Sequence, residues 1–124
     1  MTKKLVQGVV FAIVLTGMQT AMAAGEPERG KQLFQVCGAC HGLAGEGNSI
    51  LSAPINAGQD EWYVVRQIKN FQAGIRGADP KDIFGMQMRP MAATLVDDQA
   101  IQDVAAYVTS LSPPKPPLSI EGDI

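Results

Sequence analysis

Apolar and polar positions recur along most of the chain with the period of a helix, and Gly and Pro mark where that period stops. A first helix is predicted from Pro27, a residue suited to the first helical position, to about Val36, with Leu33 and Phe34 facing inward. A second is predicted from Asp60, as its cap, through about Ala73. Its apolar residues Trp62, Val65, Ile68 and Phe71 recur every three positions, and Gly74 is its stop. The segment from Ala78 to Phe84 has room for one short helical turn. A final helix is predicted over about Asp97 to Leu111, with Ile101, Val104, Ala105, Val108 and Leu111 along one stripe. Between the first two helices, Gly42, Gly45, Gly47, Pro54 and Gly58 punctuate a wrapping loop. No segment alternates with the period of a strand, so the fold class is all-α, with about three main helices.

The two ends read differently from this body. Lys3 and Lys4 precede an apolar run from Val9 to Leu15 and then Ala21-Met22-Ala23, the basic, apolar and small-residue order of a secretory signal. The run is too short to span a bilayer. Cleavage after Ala23 would leave 101 of the 124 residues, enough for one domain over 24–111. Beyond it, Ser112-Pro113-Pro114-Lys115-Pro116-Pro117 favours polyproline II, and Leu118 to Ile124 has no apolar periodicity. Residues 112–124 are therefore expected to form a frayed tail, with a semi-rigid spacer or docking peptide as the alternative.

Charge narrows the function classes. Without Lys3 and Lys4 the chain has 8 basic residues against 12 acidic ones, a formal net charge of −4. Sequence-independent nucleic-acid binding needs the opposite balance. The distribution is uneven: net −1 over 24–59, +1 over 60–91 and −4 over 92–124. A domain of about a hundred residues buries a modest core, so a large apolar cofactor would supply interior that the chain lacks.

Cys37, Cys40 and His41 suggest which cofactor. They are the chain's two cysteines and its single histidine, and the run Cys37-Gly38-Ala39-Cys40-His41 is C-x-x-C-H, the attachment signature of c-type haem. Two thiols three positions apart on a helical turn reach the two vinyl groups along one edge of the macrocycle, and the next imidazole is held beneath the iron. A zinc site needs about four protein ligands, and no further Cys or His exists to complete one. A thioredoxin-like redox pair needs a strand before the motif within a β-α pattern, which is absent from the apolar periodicity.

The second axial position has three candidates. Beyond the signal the only methionines are Met86, Met88 and Met91, all within six residues. His/Met ligation suits an electron-transfer haem, because the soft thioether favours ferrous iron. The alternative is that they fill gaps in the core. Pro90 biases Arg89 away from helical angles, so the segment ending there is expected to be extended. In an extended segment Met86 and Met88 point the same way, and geometry does not separate them. Met91 leads toward the last helix, where packing is its natural role.

These residues together resemble the class I c-type cytochromes of the small bacterial periplasmic, monohaem kind, from about Glu28 to Leu111. The resemblance rests on Gly30 and Phe34, Cys37-Gly38-Ala39-Cys40-His41-Gly42, Pro54-Ile55-Asn56-Ala57-Gly58-Gln59, Met88-Arg89-Pro90-Met91-Ala92 and Ala105-Ala106-Tyr107-Val108. It implies a class I cytochrome c fold around one haem c bound through Cys37 and Cys40. His41 and Met88 would be the iron ligands, with Met86 as runner-up. It also implies that the Pro54 carbonyl accepts the His41 Nδ1 proton, the alternative being an ordinary loop proline. The first and last helices are implied to cross, with Gly30 allowing close approach and Phe34 meeting Tyr107. Two positions depart from the family: Asn56 stands where an apolar residue is common, with Ile55 expected to take over its packing. Val96 stands where Ser or Thr caps the last helix, with Asp97 expected to serve instead.

The expected function is periplasmic electron carriage without catalysis, the haem cycling between Fe(II) and Fe(III). The expected partners are redox proteins such as a respiratory complex, a terminal oxidase or a periplasmic dehydrogenase, met by a monomer with no transmembrane segment after processing. Arg66, Trp62, Tyr63 and Arg89 are candidates to contact haem propionates, or else amphipathic surface residues. The mildly positive 60–91 stretch is expected to dock on an acidic partner patch. Two alternatives remain: a cytochrome subunit of a dehydrogenase or oxidase complex, and a five-coordinate gas-binding haem protein or weak peroxidase in which Met88 is no ligand.

Overall fold

The computed structural model describes residues 24–115, so the expected signal, 1–23, and the tail from Pro116 lie outside the described residues. Among the described residues five helical segments follow in order: α1 (Pro27–Leu33), α2 (Gln35–His41), α3 (Glu61–Gln72), α4 (Ile83–Ala92) and α5 (Asp98–Ser110). Among the described residues the only strand-like pairing is a single bridge between Asn48 and Ala53.

The first predicted helix does not end near Val36. Phe34, between α1 and α2, keeps helical angles, and 2.8 Å bonds from Phe34 N–H to Gly30 O and from Gly38 N–H to Phe34 O cross the joint. The helix thus carries on through both cysteines to His41. α1 lies against α5, and Gly30 permits the approach: a Cβ there would collide with the Asp103 carbonyl oxygen. Phe34 and Tyr107 meet with ring centroids 5.4 Å apart, as the resemblance implied.

α5 is the axis of the core. Ile101, Val104, Ala105 and Val108 are buried on one stripe, and Phe34, Ile68, Phe71, Ala92 and Leu95 close around them. Asp97 caps the helix as expected, its Oδ1 accepting the Ala100 N–H at 2.7 Å. On the same helix Asp103 is fully buried yet charged. Its carboxylate accepts from the Glu26 N–H at 2.8 Å, the Gln99 amide at 2.8 Å and the Arg29 guanidinium at 2.7 Å. Burial alone would raise its pKa; the Glu26 N–H, Gln99 and Arg29 together hold it below the usual value. This carboxylate ties the segment entering α1 to α5.

Two expectations need correction. On α3, Trp62 is 61% exposed although it belongs to the three-residue series. A helix turns about 100° per residue, so a strict three-residue step drifts by about 60° each time. Trp62 and Phe71 therefore lie on opposite sides, and Val64 joins Val65, Ile68 and Phe71 against the core instead. The second correction concerns 83–92. The short turn expected over Ala78 to Phe84 and the extended run ending at Arg89 are replaced by α4, which contains Pro90. Asp82 starts it by accepting the Gly85 N–H at 2.9 Å. Pro90 stands near its end, where the ring removes one donor without preventing two further helical residues.

The loop from Gly42 to Gly58 is held at its base by the Gly45 carbonyl, which accepts from Asn56 and Ala57 at 2.9 and 3.0 Å. The end of α5 braces it: Gly58 N–H donates to Val108 O at 3.0 Å and Thr109 Oγ1 to Gln59 O at 2.8 Å. Pro113, in the first residues of the expected tail, packs beside Gly58. In this loop Ala57 is buried and Ile55 is 45% exposed.

Candidate haem site

Cys37, Cys40 and His41 all lie on α2, spaced three and four residues apart from Cys37, which puts them on one helical face. Both thiols are free, Cys40 exposed and Cys37 packed against the core cluster. Burial pushes the Cys37 thiol above its ordinary pKa. The helix ends at Gly42, whose φ of 81° turns the chain away immediately after His41.

The His41 ring is buried, and its Nδ1 lies 2.8 Å from the Pro54 carbonyl oxygen. A carbonyl only accepts, so Nδ1 is the donor. In the neutral ring this leaves the Nε2 lone pair as the free electron pair. Nδ1 to Pro54 is the only hydrogen bond of this ring among the described residues.

The three methionines separate in a way the extended reading did not allow. On α4, Met86 and Met88 are about 200° apart around the axis. Met88 is partly buried and packs against the same core cluster as Cys37, whereas Met86 is 48% exposed. Met91 is half-buried near the end of the helix. Structure therefore brings Met88 and Cys37 to one core and turns Met86 away from Met88's side.

The four propionate candidates do not form one cluster. Trp62, Tyr63 and Arg66 gather at the start of α3, with the Arg66 guanidinium 4.9 Å from the Trp62 ring centroid and the two rings 5.9 Å apart. Arg89 lies against Gly74, past the other end of α3, about 18 Å along the helix axis.

The site's chemistry fits a haem. Two free thiols and an imidazole with an available Nε2 share one helical face, and a thioether approaches the same core. Apolar side chains also stand exposed on the segments around it: Leu43, Ile50, Leu51 and Ile55 after His41, and Ile75, Ile83 and Phe84 before Met88. A large apolar group seated between those segments would take such surface out of water. No group of three or more His, Cys, Asp or Glu suited to a metal ion occurs among the described residues, so the thiols have no zinc-like company. Sequence reasoning missed Gln72, whose side chain reaches the end of α4 from α3; nothing in the helical period singles it out.

Comparison with known proteins agrees with this chemistry. Residues 27–112 match the family described as cytochrome c. The chain is 36% identical to cytochrome c4 of Stutzerimonas stutzeri over 110 residues, 86% of this chain and 50% of that protein. It is 36% identical over 75 residues to a thiosulfate dehydrogenase electron acceptor of S. stutzeri strain A1501, covering 60% of this chain and 32% of that one. The crystal structure of reduced recombinant cytochrome c4 from Pseudomonas stutzeri superposes with a TM-score of 0.60 at 35% identity, covering 73% of this chain and 48% of that one. The chain thus spans about half the length of the cytochromes c4 it matches. The all-helical architecture is the class I cytochrome c fold, and the chain belongs to the cytochrome c family.

Proposed function

We propose that this chain is a periplasmic electron carrier holding one haem c, attached through Cys37 and Cys40 and ligated by His41 and Met88. The haem, when bound, supplies the Fe(II)/Fe(III) couple. The observation that carries the reading is the His41–Pro54 bond, which fixes the ring's tautomer and orients Nε2 as a ligand beside two free thiols. The single C-x-x-C-H in the sequence supports one haem.

The chain's own groups do the positioning. Cys37 and Cys40 retain the cofactor covalently, so the carrier moves between partners without losing it. Pro54 keeps the His41 Nδ1 proton in place while electrons come and go. Met88 would be the second residue to hold the iron, and with both ligand positions taken by the chain's own side chains the haem would serve carriage rather than catalysis.

A redox enzyme is the fitting partner, and the likeness to a thiosulfate dehydrogenase electron acceptor supports a periplasmic dehydrogenase as donor. The basic stretch 60–91 is the proposed contact, although Lys69 there is paired with Asp98 at 3.0 Å. Raising ionic strength is expected to slow transfer from such a donor, and an unchanged rate would remove the charge-steered contact.

The test of carriage is carbon monoxide. The native ferrous protein, exported with haem-maturation machinery, is expected to leave added carbon monoxide unbound and to cycle reversibly with redox mediators. Ready binding of the gas by the native ferrous form would instead make it a five-coordinate ligand-binding protein.

A further inference from the structure

We propose that Gln72 is a positioning residue for Met88, its side-chain amide fixing where α4 sits on the core. The proposal rests on the reading of Met88 as iron ligand.

α4 lacks one of its own helical bonds. Pro90 has no N–H, so the Met86 carbonyl, four residues back, receives no helical bond from it. The following bonds are local: Ala93 N–H to Arg89 O at 3.2 Å, Thr94 N–H and Oγ1 to Met91 O at 3.1 and 2.7 Å, and Leu95 N–H to Ala92 O at 3.2 Å. Bonds spanning three or four residues define the shape of a turn. They do not decide where that turn lies relative to the rest of the protein.

Gln72 supplies that placement. Its Nε2 donates to Ala92 O at 3.0 Å and to Leu95 O at 2.9 Å, engaging both amide hydrogens. Among the described residues these are the only hydrogen bonds that join segment 83–96 to another helix. Ala92 comes four residues after Met88 and shares its face, and both pack on the core cluster. The amide therefore holds the carbonyl directly behind the methionine side and limits rotation and sliding of α4. Without it, Met88 is placed by apolar contacts alone, which have no preferred direction, and methionine is the most adaptable of the apolar side chains. A less well-placed sulfur yields more readily to an external ligand.

The test measures imidazole binding to the ferric, haem-loaded protein, because imidazole enters by displacing the sulfur. Gln72→Glu keeps the shape and, ionised, loses both donors. It is expected to bind imidazole about fivefold to tenfold more tightly than the parent, the scale of about one net hydrogen bond. Gln72→Lys restores donors and is expected to stay within about twofold of the parent. Gln67→Glu makes the same charge change on the same helix while keeping its acceptor for Arg76, and is expected to leave the affinity unchanged. A Gln72→Glu protein with lowered melting temperature but unchanged imidazole affinity would overturn the proposal, since the amide would then support packing only. Met88→Ala separates the two readings. If it tightens imidazole binding and Gln72→Glu does not, the role of Gln72 alone falls. If Met88→Ala has no effect, the ligand reading falls and takes this proposal with it.

Discussion

The two sides of the proposed haem site are held by different kinds of force. On the histidine side almost everything is local: Cys37, Cys40 and His41 lie within one short helix, and thirteen residues onward the Pro54 carbonyl accepts the hydrogen bond from His41 Nδ1. On the methionine side the chain must be brought from elsewhere. Met88 is on a proline-containing helix whose hydrogen bonds to another helix, among the described residues, come from the side chain of Gln72. A local arrangement is set by residue spacing and survives small shifts of the fold. A remote one depends on packing, and loosens first when packing is disturbed.

Substitutions on each side test the difference. The largest effect is expected on the histidine side. Loss of an outer partner of a metal ligand typically costs 10–100-fold, so His41→Ala, which removes the ligand itself, should lower haem content at least about tenfold. Absorbance of the haem per mole of protein checks this. Near-normal haem content would mean that the thioethers alone define this side.

Asp103→Asn comes next and acts on the scaffold beneath both sides. The buried carboxylate serves Glu26, Gln99 and Arg29, and its loss as a charge is expected to cost about 2–3 kcal/mol, discounted because Arg29 is half exposed. Its pKa is held down in the folded protein, so the stabilisation is present above the ordinary carboxylate value and is lost as pH falls through the lower folded value. Chemical denaturation between pH 3 and 6 should show a steeper acid loss for the parent than for Asp103→Asn. Identical slopes would assign the acid sensitivity to other carboxylates.

A smaller change tests the shared core. Ile101 is 1% exposed, and Ile101→Val is expected to cost about 1 kcal/mol. If remote placement is the weaker kind, this variant should raise imidazole affinity while leaving haem content unchanged. Smallest of all is Met86→Ala. Its side chain is 48% exposed, and stability is expected to change by less than about 0.5 kcal/mol.

The same contrast explains what was legible in the sequence. The histidine side was readable because C-x-x-C-H states its chemistry in adjacent residues, and the core stripe of α5 because four buried residues follow the helical period. α4 was not readable. Pro90 argued locally for an extended approach, but the Asp82 cap and the close packing of Gly77 on Gly85 belong to the folded protein. Trp62 misled through counting: a three-residue step looks helical over one turn and drifts off the face over three. Asp103 was hidden for another reason. A lone acidic residue in an apolar stripe reads as solvated until Glu26 and Arg29, 77 and 74 residues away, are seen to surround it.

Met88, remote in sequence and placed by packing, is proposed to complete the coordination begun by His41. That role is tested most directly by the visible spectrum of the oxidised protein beside its Met88→Ala and Met86→Ala variants. The weak long-wavelength band of methionine-ligated ferric haem is expected in the parent and in Met86→Ala, and absent from Met88→Ala. A band that survives in Met88→Ala, or disappears in Met86→Ala, would contradict the account.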